Sequence, residues 1–260
     1  MTTNRQFNMA LDVLAKLNLG TDSTTPLQTQ PTDDSSDLSQ TLAGIGPLPH
    51  EALFLGIASD GLPVLLNLHD PLPGPMLVAG DDNAGKTAFL QSVARAAVLT
   101  HEADDVQFAV LTSRPHEWET LETTAHLTGI FDLQKQEAQQ VVQSLAMWAH
   151  ANKGVQQSVL LLVDDLEAIA KWDENALQHF RWLLLRGTAR RVWPFVTLNA
   201  TRYGEVIAWI EIFRTRVFGR IGNVRVAEAL GVDSPSVVEN LEVGRQFSLR
   251  ENGGWLQFHI

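Results

Sequence analysis

The stretch "PMLVAGDDNAGKTAFLQSVARAAVL", residues 75–99, decides the fold. An apolar run at its start predicts a buried strand, and apolar residues at helical spacing follow a loop that contains two glycines. Gly80, Gly85, Lys86 and Thr87 satisfy the pattern G-x-x-x-x-G-K-T, which is typical of a loop that binds nucleotide phosphates. The stretch therefore predicts a strand, a phosphate-binding loop and a helix, in that order.

The chemistry of this loop rests mainly on its backbone. The glycines allow the N–H groups of residues 83–87 to point into one concavity, where phosphate oxygens accept hydrogen bonds. We expect Lys86 to contact the β and γ phosphates and the Thr87 hydroxyl to ligate Mg²⁺. ATP and Mg²⁺ are therefore the expected cofactors. The residues expected to contact the nucleotide are Gly80, Asn83, Ala84, Gly85, Lys86, Thr87 and Ala88.

Two carboxylates, Asp81 and Asp82, lie in the loop where an anionic ligand should arrive. Because backbone groups form the phosphate site, these side chains can point away from it. Solvent screens exposed charges, so we expect each carboxylate to weaken nucleotide binding by roughly 1 kcal/mol. The aspartates lower the expected affinity but do not remove the site.

A second stretch, "SVLLLVDDLEAI" at residues 158–169, supplies the carboxylate that such a loop needs for its metal. Asp164 ends an apolar run and is predicted to hold Mg²⁺ through water. Asp165 is predicted to polarise the attacking water, with Glu167 as a substitute because an Asp side chain is one methylene shorter than Glu. In the alternative interpretation, Asp165 caps the helix that follows.

A third predicted strand, in "PFVTLNATRYGE" at residues 194–205, ends with Asn199 and Thr201. These polar side chains are predicted to sense the γ phosphate or the lytic water. An arginine from a neighbouring subunit commonly neutralises charge in the transition state of such enzymes. The sequence does not choose among the candidates, which are Arg190, Arg191, Arg214, Arg216 and Arg220.

Strand-like apolar runs alternate with helical patterns from residue 46 onward. The helical patterns cover residues 87–99, 134–151, 175–187 and 203–213. This alternation predicts an α/β fold with a parallel sheet and helices on both faces. The segment "GRQFSLRENGGWLQFHI" at residues 244–260 predicts a hairpin at the end of the chain.

The first 45 residues differ in composition from the rest. Within residues 1–20, apolar side chains at helical spacing predict a short amphipathic helix. Residues 21–45 are predicted to be a disordered linker, because Ser, Thr, Asp, Gln and Pro offer little apolar surface to bury. The helix could dock on another subunit or a partner protein, or it could pack on its own domain. The ATPase domain is expected to occupy residues 46–260.

Composition excludes several classes of protein. The chain has no cysteine, so it can form neither disulfides nor thiolate metal sites. No apolar segment approaches the roughly 18 residues of a membrane span, and no secretory signal is evident, so we expect a cytoplasmic protein without membrane insertion. The net charge of -11 disfavours indiscriminate nucleic-acid binding. Residues 181–260 nevertheless hold 11 arginines against 7 acidic residues.

These motifs together resemble the FtsK/SpoIIIE group of the FtsK/HerA superfamily. The likeness is most specific in "LFLGIASDGLPVLLNLHDPLPGPMLVAGDDNAGKTAFLQSV", residues 53–93, and continues through "LLLVDDLEAI", "RGTARRVWPFVTLNATR" and "FRTRVFGRIGN" to the closing hairpin. The resemblance implies a RecA-like (ASCE) P-loop NTPase with a hairpin before the phosphate loop. Members of the group form rings, typically hexamers, and move DNA or, in the EccC branch, protein. The resemblance also implies an ATP site between subunits that receives an arginine in trans.

The chain departs from the family pattern at two positions of the expected site. Asp165 stands where the family usually has Glu, and Arg202 replaces the glutamine of "ATQRP". Two functions therefore stay open: an oligomeric ATP-driven motor subunit, and a degenerate nucleotide-binding assembly subunit that recruits a partner through its N-terminal helix. The guanine-reading N-K-x-D motif is absent, which disfavours a GTPase.

Overall fold

The computed structural model describes residues 33–152, 154, 156–251 and 253–260. Its strands are β1 Ala52–Ala58, β2 Pro63–Asn67, β3 Met76–Gly80, β4 Val106–Thr112, β5 Leu127–Asp132, β6 Ser158–Asp164, β7 Val192–Asn199, β8 Thr215–Phe218, β9 Gln246–Glu251 and β10 Gly254–His259. Its α-helices are α1 Asp33–Ile45, α2 Lys86–Thr100, α3 Gln136–Ala151, α4 Leu166–Ile169, α5 Glu174–Arg186, α6 Ile207–Ile210, α7 Val224–Ala229 and α8 Ser236–Glu239. Short 3₁₀ helices cover Pro115–Leu121, Thr188–Arg190 and Ala200–Glu205.

The strands form one sheet with the order β2-β1-β10-β9-β8-β3-β7-β6-β4-β5. Strands β8, β3, β7, β6, β4 and β5 pair in parallel, and the remaining pairs are antiparallel. One strand, β7, separates the phosphate-loop strand β3 from β6. The mostly parallel sheet, the phosphate loop after β3 and the antiparallel hairpins β1–β2 and β9–β10 confirm the predicted α/β P-loop fold.

Helices cover both faces of the parallel part of the sheet. In β6, Leu161 and Val163 belong to the core on the side of α3 and α5. Leu160 and Leu162 belong to the core on the side of α2. Because successive strand residues point to opposite faces, a strand buried on both sides is apolar throughout. This explains why the run before Asp164 contains no polar residue.

The register of the parallel strands brings their polar ends together. Gly80 at the end of β3 lies opposite Asn199 at the end of β7. Thr112 at the end of β4 lies opposite Asp164 at the end of β6. These four carboxyl ends therefore form one edge of the sheet, which is where open α/β sheets bind ligands.

The prediction of a disordered linker is wrong for residues 33–45, which form helix α1. Its apolar side chains Leu38, Leu42 and Ile45 recur at helical spacing and pack against Phe54 of β1 and Ala96 of α2. This contact with the domain compensates for the polar composition of the helix. The predicted helix within residues 1–20 lies outside the described residues.

Two further elements differ from the sequence predictions. Residues 203–213 form the end of a 3₁₀ helix and the single turn α6 instead of one helix. Strand β5 was not predicted, because its sequence LTGIFD is short and only its Phe131 is fully buried at the sheet edge. Within the described ranges, none of the helices has the length and apolar content needed to cross a bilayer.

Candidate nucleotide-binding site

The phosphate loop connects β3 to the first turn of α2. Asn83 and Gly85 have φ angles of 60° and 88°, in the left-handed region that favours glycine and tolerates asparagine. A side chain at position 85 would also collide with the Gly244 backbone. Helix α2 starts at Lys86, with no acidic residue in its first turn. Its N-terminus, which carries a partial positive charge, therefore faces the loop without a competing carboxylate from that turn.

Lys86 lies folded back on the loop that precedes it. Its Nζ donates to the carbonyl oxygens of Gly80 at 3.1 Å and Asp81 at 2.7 Å. Burial lowers the pKa of Lys86, while nearby carboxylates, with Asp82 and Asp164 as the strongest contributors, act to raise it. The ammonium group is thus positioned at the loop and is held only by neutral carbonyls, which a phosphate can replace as partners.

Thr87 and Asp164 converge from two different elements. The Thr87 hydroxyl lies 3.0 Å from Asp164 Oδ2 and 3.2 Å from Oδ1. Asp164 is only 5% exposed, and the Thr197 hydroxyl also donates to its Oδ1 at 3.0 Å. A hydroxyl and a carboxylate are the hard oxygen ligands that Mg²⁺ prefers, so these residues fit the predicted metal site.

The described residues contain no cluster of three or more His, Cys, Asp or Glu side chains that could hold a metal ion. A nucleotide-bound Mg²⁺ needs no such cluster, since it keeps several waters and takes other ligands from the phosphates. Thr87 and Asp164 are sufficient as the protein's share of such a site.

Asp165 has the geometry of the helix cap that the sequence left open. Its φ is 122°, and its Oδ1 accepts a hydrogen bond from the Ala168 N–H at 3.0 Å. Ser113 Oγ lies 3.5 Å from Oδ2. The carboxylate lines the cavity and at the same time caps α4, so the two interpretations of Asp165 are compatible.

Glu167 lies behind Asp165 and is 2% exposed. Its Oε1 accepts from the backbone N–H of Asn199 at 2.8 Å. Burial, reinforced by a hydrogen bond with Asp165, raises the pKa of Glu167 to about 7. A carboxyl group with this pKa is near the midpoint of its titration at neutral pH and can accept or release a proton.

The two aspartates of the loop point in different directions. Asp81 Oδ2 accepts from the Gly222 N–H at 2.8 Å and is turned toward the loop after β8. Asp82 Oδ1 accepts from Asn199 Nδ2 at 2.6 Å and lies in the cavity wall. Only Asp82 therefore adds its charge directly to the place where an anionic ligand would sit.

A cavity of about 450 Å³ opens between these elements. Its charged lining consists of the carboxylates Asp82, Glu117, Asp164, Asp165 and Glu167 and the cations Lys86, Arg114 and Arg202. Uncharged lining residues are Asn83, Gly85, Thr87, Ser113, Thr197 and Asn199. Acidic groups outnumber basic ones, so the cavity favours a ligand that brings a cation with it.

Several of these residues were missed by the sequence analysis. Ser113 and Arg114 directly follow β4, and Thr197 lies two residues before the end of β7. The rule that found Asp164 and Asn199, a polar side chain where an apolar strand ends, applies to Ser113 and Arg114 as well. The sequence identified Arg202 only as a departure from the family pattern. In the structure its guanidinium forms a bidentate ion pair with Glu205, with both hydrogen bonds at 2.9 Å.

The remaining predicted residues lie outside the cavity lining. The Thr201 hydroxyl donates to Asn199 Oδ1 at 2.8 Å, so it supports Asn199. Ala88 lines a second cavity of about 370 Å³ on the other side of the loop, together with Leu38, Thr41, Phe54, Ile57, Ser92, Arg95, Glu242, Gly244, Arg245, His259 and Ile260.

Three of the predicted trans-arginines donate hydrogen bonds within their own chain. Arg216 donates to the carbonyl oxygens of Phe213, Leu230 and Ile210, so it secures local structure instead of reaching a neighbour. Arg191 lies before β7, at the sheet edge opposite the cavity, and donates to Leu68 O at 2.9 Å. Arg190 donates to a backbone carbonyl of the same chain at 3.3 Å.

The other two candidates, Arg214 and Arg220, are exposed. The backbone carbonyl of Arg220 accepts a hydrogen bond from the Asp81 N–H of the phosphate loop.

The strand order, the phosphate loop and the carboxylate at the end of β6 define the class of fold, which is that of the P-loop NTPases. The structure is similar to the cytoplasmic domain of the type VII secretion ATPase EccC from Thermomonospora curvata, with a TM-score of 0.65 and 15% identity over 84% of this chain and 30% of that one. ATPases 2 and 3 of the same EccC, solved with a signal sequence peptide, match with a TM-score of 0.64 and 16% identity over 92% of this chain and 45% of that one.

The pCW3 conjugation coupling protein TcpA, solved with ATPγS, matches with a TM-score of 0.62 and 11% identity over 90% of this chain and 70% of that one. The chain thus spans less than half of either EccC chain. No protein-family model and no curated protein sequence matches it. The likeness confirms the α/β P-loop NTPase fold that the sequence motifs predicted.

Proposed function

We propose that the chain is an ATP-binding, ATP-hydrolysing subunit of an oligomeric FtsK/HerA-like motor that moves DNA or a polypeptide. One observation carries the proposal: Thr87 and Asp164 meet at 3.0 Å beside Lys86, at the N-terminus of α2. A Gly-rich loop, a lysine, a hydroxyl and a strand-end carboxylate are the parts that phosphoryl transfer requires. The fold shared with secretion and conjugation ATPases supports it.

The phosphates would bind to the backbone N–H groups of residues 83–87. Lys86 would exchange its bonds to the Gly80 and Asp81 carbonyls for the β and γ phosphates. Thr87 and Asp164 would hold Mg²⁺, which neutralises phosphate charge when it is bound. The nucleoside would lie in the second cavity, since Ala88 in the first turn of α2 lines it.

Hydrolysis needs a group that accepts the proton of the attacking water. Water oxygen forms a bond to the γ phosphorus, the bond to the β–γ bridging oxygen breaks, and ADP and phosphate leave. Asp165 faces the cavity, and Glu167 lies directly behind it with a pKa of about 7. We assign the proton to this pair, with Asn199 orienting the water from the end of β7.

The second candidate is a nucleotide-binding assembly subunit with little or no turnover, which recruits a partner through residues 1–20. The capping hydrogen bond of Asp165 favours it, because a carboxylate that is held by the Ala168 N–H is less free to approach water. In both candidates we propose a cytoplasmic homo-oligomer, a hexameric ring in the case of the motor.

The site is tested by replacing its lysine. Lys86→Ala removes a charged hydrogen-bond donor, worth about 1.5–3 kcal/mol, so we expect ATP affinity in isothermal titration calorimetry to fall at least tenfold. Lys135→Ala is the matched control, because Lys135 is exposed before α3 and should leave the affinity unchanged. Equal affinities for the two variants would remove the proposed site.

The two candidates are separated by phosphate release, measured with and without double-stranded DNA or an unfolded polypeptide. A motor hydrolyses ATP and does so faster with its cargo. A silent wild-type protein that becomes active as Asp165→Glu would support the assembly subunit, since the added methylene restores the reach of the water-activating carboxylate.

A further inference from the structure

A guanidinium group of the protein itself occupies the proposed metal site. Arg114 follows β4, and its Nη2 lies 3.2 Å from Thr87 Oγ1 and 3.6 Å from Asp164 Oδ2. Its Nη1 forms an ion pair with Glu117 Oε1 at 2.8 Å. The side chain is therefore held on one side by its own 3₁₀ helix and on the other by both residues that would bind Mg²⁺.

The local backbone fixes where this side chain starts. The Arg114 N–H donates to Thr112 Oγ1 at 3.0 Å, and Pro115 begins the 3₁₀ helix that contains Glu117. Because Thr112 lies opposite Asp164 in the sheet register, the turn after β4 delivers the guanidinium directly to the end of β6. The sheet register thus places the start of the Arg114 side chain beside the end of β6, within reach of Thr87 and Asp164.

Arg114 and a metal ion compete for these oxygens, because two cations this close together repel each other. Mg²⁺ binds oxygen at about 2.0–2.1 Å and needs a lone pair of each ligand, and the Thr87 oxygen already uses a lone pair to accept a hydrogen bond from Arg114. Asp164 is 5% exposed, and a buried carboxylate without a compensating cation is costly. In the absence of metal, Arg114 supplies that cation.

We propose that Arg114 competes with Mg²⁺ for Thr87 and Asp164, so that the metal enters only when a nucleotide triphosphate arrives with it and displaces the guanidinium onto Glu117. The proposal rests on the proposed nucleotide site and adds its regulation. Arg114 acts here as a positioning residue: it keeps the metal ligands in place in the nucleotide-free protein and weakens their affinity for a divalent ion alone.

The test measures divalent-ion binding without any nucleotide. Mn²⁺ serves as the probe in place of Mg²⁺, and electron paramagnetic resonance measures the free ion during titration of the folded, full-length chain. Arg114→Gln frees the oxygens, and we expect the Mn²⁺ affinity to rise at least fivefold. Unchanged affinity in this variant would overturn the proposal.

Arg202→Gln is the matched control. It removes the same charge from the lining of the same cavity, but the Arg202 guanidinium is bound to Glu205, away from Thr87 and Asp164. We expect its Mn²⁺ affinity to rise less than twofold. An equal rise in both variants would assign the effect to the overall charge of the cavity and overturn competition at the metal ligands.

Two more variants keep the result interpretable. Arg114→Lys preserves the charge but not the planar fork that reaches several oxygens at once, so its Mn²⁺ affinity should lie between those of wild type and Arg114→Gln. A wild-type affinity would contradict competition by contact.

Adding Asp164→Asn to Arg114→Gln should abolish the gain in Mn²⁺ affinity. If Mn²⁺ still bound equally tightly, both the proposed metal ligand and the competition would be wrong. Loss of ATP binding in Lys86→Ala, by contrast, tests only the proposed function.

Discussion

At the scale of single residues, Glu167 is a buried carboxyl group with a raised pKa. Its side chain is 2% exposed and accepts a hydrogen bond from the backbone N–H of Asn199. Ionisation of Glu167 would also place its negative charge beside Asp165. Burial is the largest cause of the raised pKa. The protein thus keeps a carboxyl group with a raised pKa beside Asp165, and perturbed pKa values of this kind cluster at functional sites.

The pH dependence of stability follows from this pKa. The folded-state pKa of about 7 exceeds the ordinary glutamate value of 4.5, so the folded chain binds more protons than the unfolded chain between these two pH values. Protonated Glu167 contributes its full share to the free energy of unfolding below about pH 4.5. This share, up to ~3 kcal/mol, is lost as the pH rises through about 7. We expect Glu167→Gln to abolish this part of the pH dependence in urea unfolding measured from pH 4.5 to 8.

Glu174→Gln provides the control for that measurement, because Glu174 is an exposed residue in the first turn of α5. Its stability should follow the wild-type pH profile. Parallel profiles for wild type and Glu167→Gln would show that Glu167 ionises with an ordinary pKa, and its assignment as proton acceptor would lose its support.

Residues that belong to a local pattern were predictable, and residues that depend on register were not. Lys86 and Thr87 follow from one contiguous motif, and Asp164 follows from the end of one apolar run. Arg114 reaches Asp164 only because β4 and β6 pair in a particular register, and no spacing along the chain encodes that pairing. The same is true of the hydrogen bond between Asn199 and Asp82, which are 117 positions apart.

At the scale of elements, helix α1 shows how average composition conceals a short apolar stripe. Polar residues separate Leu38 from Leu42, so the composition of the whole segment is typical of a linker. The stripe becomes effective only against Phe54 of β1 and Ala96 of α2, and α2 lies far along the chain. Helix α1 also contributes Leu38 and Thr41 to the second cavity, so its position and nucleoside binding should be linked.

We expect Leu38→Asp to detach α1 while the sheet stays folded. A buried leucine contributes about 1.5–3 kcal/mol, which is comparable to what holds one short helix on a surface. Hydrogen exchange should accelerate at the amides of residues 39–45 and remain slow in β3 and β6. Gln40→Asp, at an exposed position of the same helix, should leave exchange unchanged. Continued protection of α1 in Leu38→Asp would show that other contacts hold it.

At the scale of the whole molecule, alternating strands and helices were enough to predict the layers but not the complete sheet. Strand β5 escaped prediction because an edge strand with exposed positions lacks the continuous apolar signal of β6. The antiparallel half, from β2 to β9, joins the two predicted hairpins through the pairing of β1 with β10. That pairing connects distant parts of the chain and has no local sequence signal.

The excess of negative charge in the proposed nucleotide site bears on the association of subunits. The carboxylates of the cavity outnumber its cations, and Arg190, Arg191 and Arg216 are bound to carbonyls of their own chain. An arginine from a neighbour, with the exposed Arg214 and Arg220 as remaining candidates, would balance the charge that a triphosphate adds. Nucleotide binding should therefore favour association of subunits.

Sedimentation velocity at fixed protein concentration measures this association. We expect wild-type protein with Mg²⁺ and ATPγS to shift from the 28.7 kDa monomer toward a larger species, and Lys86→Ala to remain monomeric under the same conditions. Lys135→Ala should shift like wild type, because its nucleotide site is intact. An identical mass with and without nucleotide, at concentrations well above the ATP dissociation constant, would separate nucleotide binding from assembly and contradict a site shared between subunits.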